Sequence, residues 1–458
     1  MAAPRSIPTV PGSLPLIGHM AALLRDPLGF LRTLPAHGDL VRLRLGPVDA
    51  VLVCDPDLIL QVLRDDRTFD KGGPVFARLG EAVGDGLATC PHSRHRRQRR
   101  LVQPAFHPGR LPGYAEVMTG RIDAVTGSWR DGQILDVLPE MMTISVETTT
   151  AMIYSDALPG PVRRATLDDI GTVLAGAFRR MLTPPPLDRL PTPANRRYHR
   201  AIADLRATLG GVVDDRRGDD ADRGDLLSAL LASRDPGGGR GLTDEEIVDQ
   251  AMTFLIAGTE TTAAVLAWTM HLMAAHPDIE DRLHAEVDDV LGDRPATHAV
   301  LPELGMTGQI ITETLRLLPP AWLFTRTATA DTRLGLAGIP KGTTMLCSPY
   351  VIHHRADLYP HPERFDPDRW SPERRTALPR GGFLPFGAGA RKCIGDRFGL
   401  TEATLALATI AARWRLEPLP GQDDARVALA ATLRPRELRM RAIARTARPE
   451  SRPPGRRA

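Results

Sequence analysis

Phe386-Gly-Ala-Gly389-Ala-Arg391-Lys-Cys393-Ile-Gly395 decides how this chain reads. A lone cysteine in a long chain is most often a small buried packing residue. Here five fixed positions, Phe386, Gly389, Arg391, Cys393 and Gly395, stand together, which chance supplies roughly once in ten thousand chains of this composition. They suit a thiolate ligand to haem iron, which must be deprotonated and kept from oxidation by solvent. A Gly-rich loop running into a helix start does both. The helix dipole favours the anion, and nearby backbone N–H groups can donate to the sulfur. Phe386 can shield the sulfur. Gly389 and Gly395 let backbone approach a flat macrocycle without a Cβ clash, and Arg391 offers a guanidinium to an acidic edge group.

Upstream, Ala257-Gly258-Thr-Glu260-Thr261-Thr262 lies midway along a long apolar helical stretch. A buried carboxylate is costly, and Gly258 weakens a helix by ~1 kcal/mol. Two local rules broken together point to function; the plainer reading is a kinked helix with satisfied polar groups. Glu313-Thr-Leu-Arg316 is E-x-x-R at helical spacing, which alone is usually a surface ion pair. Pro362-Glu-Arg364-Phe365-Asp-Pro367-Asp-Arg369-Trp370 follows it. His95-Arg96-Arg97-Gln98-Arg99-Arg100 is a basic run, by itself a solvated face or a nucleic-acid patch. On a helix, His95 and Arg99 share one side and Arg96 and Arg100 the next. His353, His354 and His361 share no helical face and bring no cysteine or carboxylate with them, so a metal site is not expected there.

The stretch FGAGARKCIG resembles the haem-binding signature F-x-x-G-x-R-x-C-x-G of the cytochromes P-450. The resemblance covers essentially the whole chain: a Pro-rich start, a long central helix, E-x-x-R and the cysteine loop follow in the family's order. It implies haem b (Fe-protoporphyrin IX) as cofactor, with Cys393 as axial iron ligand. It implies that Glu260 and Thr261 deliver protons, since splitting O2 needs protons inside a dry pocket. It implies a structural network of Glu313, Arg316 and Arg369 that holds the cysteine loop; the pattern P-x-x-F-x-P-x-R-aromatic selects Arg369 over Arg364. His95, Arg99, Arg326 and Arg391 match propionate contacts, His95 standing where many members carry Trp. Arg96, Arg97 and Arg100, with Lys392 and Arg397, would form a basic face above the cysteine for an acidic electron donor.

The 458 residues are 42% hydrophobic and 25% charged, ordinary globular usage, and the net charge of +3 gives no argument for nucleic acid. Four cysteines, at 54, 90, 347 and 393, form no C-x-x-C pair and no disulfide framework. Cys54, Cys90 and Cys347 read as packing residues. With no secretory signal and no run of about 18 apolar residues, a soluble, cytoplasmic protein without a membrane span is expected. Residues 40–54 read as a hairpin turning at Gly46-Pro47. Asp55-Pro56 opens a helix. Residues 71–90 read as irregular, 95–103 as helical, and 182–195 as a Pro-rich connection between helices. Thr243 to Glu246 reads as a capping box opening the central helix. Helices follow from Pro277 to Gly292, over 305–318 and over 394–413. No repeat or interdomain linker is visible. One domain over 1–458 is expected, with a Pro-rich segment at 1–20 and a frayed basic tail at 446–458. The fold class is mainly α with small β-sheets, the cytochrome P-450 fold, with haem between the central helix and the cysteine-loop helix.

The resulting expectation is a bacterial haem-thiolate monooxygenase that places one atom of O2 in an apolar small molecule. The chain ends soon after the cysteine-loop helix, so no fused reductase is expected, and electrons would come from a ferredoxin and its NAD(P)H-dependent reductase. By position in the family, Val75, Phe76, Leu255, Ala257, Trp322, Leu323, Phe324 and Leu433 line the substrate pocket. Such an apolar wall suits a compact hydrocarbon. The wording of FDKGGPVFARLG, CPHSRHRRQRRLVQPAFHPGRL and LPTPANRR resembles actinobacterial oxidases of sesquiterpene pathways in antibiotic and secondary metabolism. A fatty-acid or polyketide oxygenase is the alternative. A peroxide-using or O2-independent enzyme, and a non-catalytic haem-binding protein, are disfavoured by Glu260-Thr261.

Overall fold

The computed structural model describes residues 6–46, 48–155, 160–183, 187–218, 221–235, 239–374, 378–421, 425–429 and 431–445. The 446–458 tail and Pro47 of the expected turn lie outside them. Helices dominate, and a mixed five-stranded sheet sits at one side. Its strand order is Leu40–Leu45, Val48–Val53, Thr344–Cys347, Phe324–Ala328, Phe69–Asp70. Leu40–Leu45 and Val48–Val53 form the expected hairpin, with Leu40 opposite Val53, and Gly46 takes the positive φ of +60° that the turn requires. Thr344–Cys347 joins Val48–Val53 in parallel; the other pairings are antiparallel. Asp55 caps the next helix, Pro56–Arg64, by accepting from the N–H groups of Asp57 and Leu58.

The central helix, Asp244–Ala275, organises everything else. Thr243 accepts from the Glu246 N–H and the Glu246 carboxylate accepts from the Thr243 N–H, so the capping box starts it as expected. Acidic residues fill its first turn, favourable at the positive end of the dipole. Its apolar residues occur all round, so it is buried on several sides. It packs on Val137–Tyr154, on Pro193–Arg217, on the E-x-x-R helix Gly305–Leu317 and on the cysteine helix Asp396–Arg413. Its most apolar stretch has a mean hydropathy of 1.2, enough to suggest a membrane span, but 83% of that stretch is buried inside the protein. It is a core helix.

Two expectations need correction. Residues 71–90 are irregular only in part: Gly73–Val83 is a helix, with Pro74 in its first turn and Ala82 and Val83 buried, while 84–90 are turns as expected. The helix's two glycines hid it, because glycine lowers helix propensity while packing decides the outcome. The Pro-rich connection is also shorter than 182–195. The helix Gly160–Leu182 precedes it, and the next helix starts at Pro193, where Thr192 caps it through the Asn195 N–H. Proline at the first helical position starts a helix rather than breaking one. The basic run is helical over His92–Val102, and the helices Pro277–Leu291, Gly305–Leu317 and Asp396–Arg413 lie where expected.

Candidate active site

A cavity of about 380 Å3 separates the central helix from the cysteine loop. Cys393, Phe386 and Gly395 form one wall; Ala257, Gly258 and Thr261 form the other. The loop is fastened by the Cys393 N–H donating to the Phe386 carbonyl at 2.9 Å. Burial raises the Cys393 thiol above its ordinary range, against the Gly395 N–H and the nearby Arg99 and Lys392 cations, which favour the thiolate. Gly389 does not line the cavity. With φ +70°, its Cβ would lie 2.1 Å from the Leu63 carbonyl oxygen. Glycine is therefore needed there for a left-handed turn packed on the helix Pro56–Arg64, and not for approach to a macrocycle.

One end of the cavity is cationic. Lys71, His95, Arg99, Arg326 and Arg391 line it, and no Asp or Glu is among the described lining residues. Burial, then Arg326 and Arg391, push the Lys71 ammonium down to about 7. Burial, with Arg391 and Lys71 beside it, pushes His95 down to about 3, so the imidazole is neutral. The Arg326 Nε is buried and meets no acceptor among the described residues, while its Nη1 donates to the Thr325 carbonyl. A buried, uncompensated guanidinium is costly. The two acid groups at a porphyrin edge would relieve it, so the residues fit haem: a thiol in one wall and unpaired cations at one end. Arg391 needs a qualification. It already pairs with Asp70 at 2.8 Å and Asp66 at 3.2 Å and donates to the Cys90 carbonyl. Its main bonds tie the cysteine loop to the Phe69–Asp70 edge.

The remaining predicted residues divide sharply. Phe76, Ala257 and Phe324 line the cavity; Leu255, Trp322, Leu323 and Leu433 do not. Leu255 faces away on the central helix, and Trp322 and Leu433 are buried in a separate core cluster with Leu346. The Val75 side chain lies outside what is described. The lining also includes Lys71, Thr149 and Thr262, which local sequence gave no reason to select. Thr261 lines the cavity, its hydroxyl donating to the Ala257 carbonyl at 2.7 Å. Glu260 is buried but absent from the cavity wall; it pairs with Arg434 at 3.2 Å. Burial raises its carboxyl despite that cation.

Glu313 and Arg316 are fully buried and doubly bonded, Nε to Oε2 and Nη2 to Oε1, both at 2.9 Å. Arg369 reaches Glu313 Oε1 at 3.2 Å and Trp370 Nε1 reaches Oε2 at 2.8 Å. The third arginine is Arg369, as the motif implied; Arg364 offers only its carbonyl, to Arg316. His353 belongs to this network. Its Nδ1 faces the Arg316 carbonyl at 3.1 Å and its Nε2 accepts from the Leu384 N–H at 2.8 Å. The basic face is less free than expected. Arg97 pairs with Glu246 and Asp235, Arg100 with Asp235, and Lys392 with Asp396. Cys54 and Cys347 are packing residues whose thiols burial pushes up to about 12.

A further acid, Glu402 on the cysteine helix, is fully buried, and neither carboxyl oxygen finds a well-formed hydrogen bond among the described residues. Burial pushes its carboxyl up to about 8, moderated by the Ser145 and Thr262 hydroxyls. The folded protein then holds a proton that the unfolded chain releases near 4.5. The contribution of this carboxyl to stability is full below that point and is lost as pH rises towards about 8. Urea midpoints measured across this range should show the decline in the native chain, and Glu402→Gln should flatten it. An equal slope in both proteins would contradict the assignment.

Comparison with known proteins agrees with this geometry. The family model described as Cytochrome P450 (cytochrome P-450) matches residues 8–438. Pentalenene oxygenase of Streptomyces avermitilis is 47% identical over 438 residues, covering 96% of this chain and 97% of that protein. Cyclooctatin synthase of Streptomyces melanosporofaciens is 48% identical, with 90% of each chain covered. Among solved structures, the haem domain of cytochrome P-450DA superposes with a TM-score of 0.88 at 29% identity, covering 97% of this chain and 99% of that one. A match that runs almost end to end, on a fold that sets a cysteine loop across a cavity from a long central helix, makes this chain a member of the cytochrome P-450 family of monooxygenases.

Proposed function

We propose that this monooxygenase hydroxylates a compact cyclic terpene hydrocarbon, a sesquiterpene of the pentalenene type, at an allylic or methyl carbon. The observation that carries the reading is the cavity wall: beyond the cations it is built from Ala257, Val265, Ile311 and Leu315, with Phe76 and Phe324 at the border, Lys71 lying 5.6 Å over the Phe76 ring and Arg326 5.3 Å over the Phe324 ring, and threonines as its polar groups. An apolar ligand gains ~25 cal/mol for each Å2 of apolar surface removed from water there, and shape rather than charge must orient it. Phe76 and Phe324 then set regiochemistry. Likeness to pentalenene oxygenase supports the same class, as does 46% identity to cyclooctat-9-en-7-ol 5-monooxygenase.

The cofactor in this reading is haem b, which supplies redox and O2-activating chemistry when bound. Cys393 would hold it from one wall, and Lys71, His95, Arg99 and Arg326 would receive its acidic groups. Thr261 turns its hydroxyl from the Ala257 carbonyl towards the cavity and passes on a proton that Glu260 holds on the far side of the helix turn. Phe386 and the apolar wall exclude water. Arg96 and Arg397, with the partly neutralised Arg100, present positive charge to an acidic ferredoxin, itself reduced by an NAD(P)H-dependent reductase, in the cytoplasm.

Two measurements test this. Titration with pentalenene should displace water and shift the Soret band to shorter wavelength, more tightly than a medium-chain fatty acid or a macrolactone; tighter binding and turnover of either competitor would remove the terpene assignment. Thr261→Ala should keep consuming NAD(P)H and O2 while product per NAD(P)H falls about tenfold and hydrogen peroxide rises. Unchanged coupling would mean that protons enter by another route.

A further inference from the structure

The helix Gly73–Val83 brings Phe76 to the cavity, yet little apolar packing holds its first two turns. Among its described side chains only Ala82 and Val83, in the last turn, are buried, with Leu79 partly so. Its last turn is tied to the central helix just beyond Gly84, where the Asp85 N–H donates to the Asp249 carboxylate at 2.8 Å. Arg78 and Glu81, three apart, share one face, and Phe76 stands about 140–200° away around the helix. That face is met by charge. Arg180 Nε and Nη2 both donate to Glu81 Oε2, at 3.2 and 2.8 Å, and Arg180 Nη1 donates to the Asp188 carbonyl at 2.7 Å. Arg78 Nη1 donates to Glu81 Oε1 at 2.6 Å, and its Nη2 meets the Asp188 carboxylate. The Asp188 side chain is fully buried and that of Arg180 is 5% exposed. Both stand on a fixed base. The Arg180 guanidinium lies 5.3 Å over the Tyr198 ring, and a Cβ at Gly176 would lie 2.2 Å from that ring, so Gly160–Leu182 and Pro193–Arg217 are in close contact there. Asn195 Nδ2 donates to the Asp188 and Leu190 carbonyls at 2.9 and 2.8 Å.

From this placement we infer that Arg180 and Asp188 are positioning residues for regiochemistry: from outside the cavity they fix the seat of Gly73–Val83, and with it the place of Phe76 in the cavity wall. The inference rests on the terpene reading and deepens it. An apolar ligand oriented by shape needs a wall that keeps its shape. Apolar burial secures only the last turn of Gly73–Val83. Charge secures the rest. A buried Asp188 left without a cation is costly, so the network favours the one seat that brings Arg78 to it. Glu81 is held to the same seat by two bonds from Arg180. Neither Arg180 nor Asp188 lines the cavity, so each acts on the ligand only through the helix and Phe76.

The test uses the holoenzyme with Asp188→Asn, Arg180→Gln, Arg180→Lys and Phe76→Ala, and pentalenene as the probe. Asp188→Asn and Arg180→Gln should each raise the ratio of minor to major hydroxylated product several-fold and weaken binding in the Soret titration. Arg180→Lys should restore most of the native ratio. Phe76→Ala combined with Asp188→Asn should give the ratio of Phe76→Ala alone, because Asp188 acts through Phe76. A merely structural role would lower the urea midpoint and leave the product ratio where it was. An unmoved ratio in Asp188→Asn and Arg180→Gln, or effects additive with Phe76→Ala, would overturn the inference. If Asp188→Asn does not fold, Glu81→Gln, at the more exposed rim of the network, gives the same comparison. A native protein that leaves pentalenene unoxidised would remove the terpene reading by itself. The same variants are then compared by their affinity for phenylimidazole, a ligand of haem iron that fills the cavity whatever the natural substrate, and the same two results, an unmoved value or additivity with Phe76→Ala, decide against the inference.

Discussion

Cys393→Ser should abolish the red-shifted Soret band of the reduced, CO-bound protein and with it all O2-dependent turnover. The reasoning starts from the loop. The Cys393 N–H donates to the Phe386 carbonyl, and this backbone bond survives the substitution. The Gly395 N–H and the Arg99 and Lys392 cations favour an anion at the side chain. A thiol, ordinarily near 9 and raised here by burial, is still acidic enough to yield its proton to a metal; a serine hydroxyl, far less acidic, is not. The cationic end of the cavity is untouched, so Lys71, Arg99 and Arg326 can still receive the acidic edge of haem. Spectra of the variant should therefore report altered ligation and not unfolding, with thermal melting near that of the native chain. An unchanged band in Cys393→Ser would remove the ligand assignment and the monooxygenase reading with it.

How much was legible beforehand follows from what each signal depends on. Local signals held: the Thr243–Glu246 capping box, the Asp55-Pro56 helix start and the period-two alternation at 40–54 each need only neighbours in sequence. Motif signals held where spacing fixes geometry, as for Glu313, Arg316 and Arg369. What failed depends on rotation and on partners distant in sequence. Leu255 and Ala257 are two residues apart on a helix, hence about 200° apart around it, and only Ala257 meets the cavity. The need for glycine at 389 comes from the Leu63 carbonyl, far away in the chain. Arg97 reads as a free surface cation until Glu246 and Asp235 are brought beside it. Lys71, in the quoted FDKGGP stretch, gains its place only because the sheet edge at Phe69–Asp70 brings it to the same end of the cavity as Arg326.

Glu313→Gln should be the most destabilising single substitution in this set, at roughly 3–5 kcal/mol. Both members of the Glu313–Arg316 pair are fully buried, and the carboxylate also accepts from Arg369, from Trp370 and from the Asp366 N–H. A neutral amide has one acceptor oxygen and two donors. It cannot accept all five bonds, and it turns N–H groups towards the Arg316 guanidinium. The buried charge of Arg316 is then left with carbonyl acceptors alone, those of His353, Pro362 and Arg364. Damage should pass to the cysteine loop by one identifiable contact. His353 touches the Arg316 carbonyl with Nδ1 and takes the Leu384 N–H with Nε2, and Leu384 stands two residues before Phe386. Loss of haem from the variant should therefore run faster than from the native protein even where far-UV circular dichroism is unchanged. Arg369→Ala should cost less, because Arg369 is at the edge of the network and its side chain is 11% exposed. Urea midpoints for both variants, with haem transfer to an acceptor globin timed alongside, give the comparison. A Glu313→Gln protein within about 1 kcal/mol of the native chain, or one less affected than Arg369→Ala, would show that the pair is not what holds the loop.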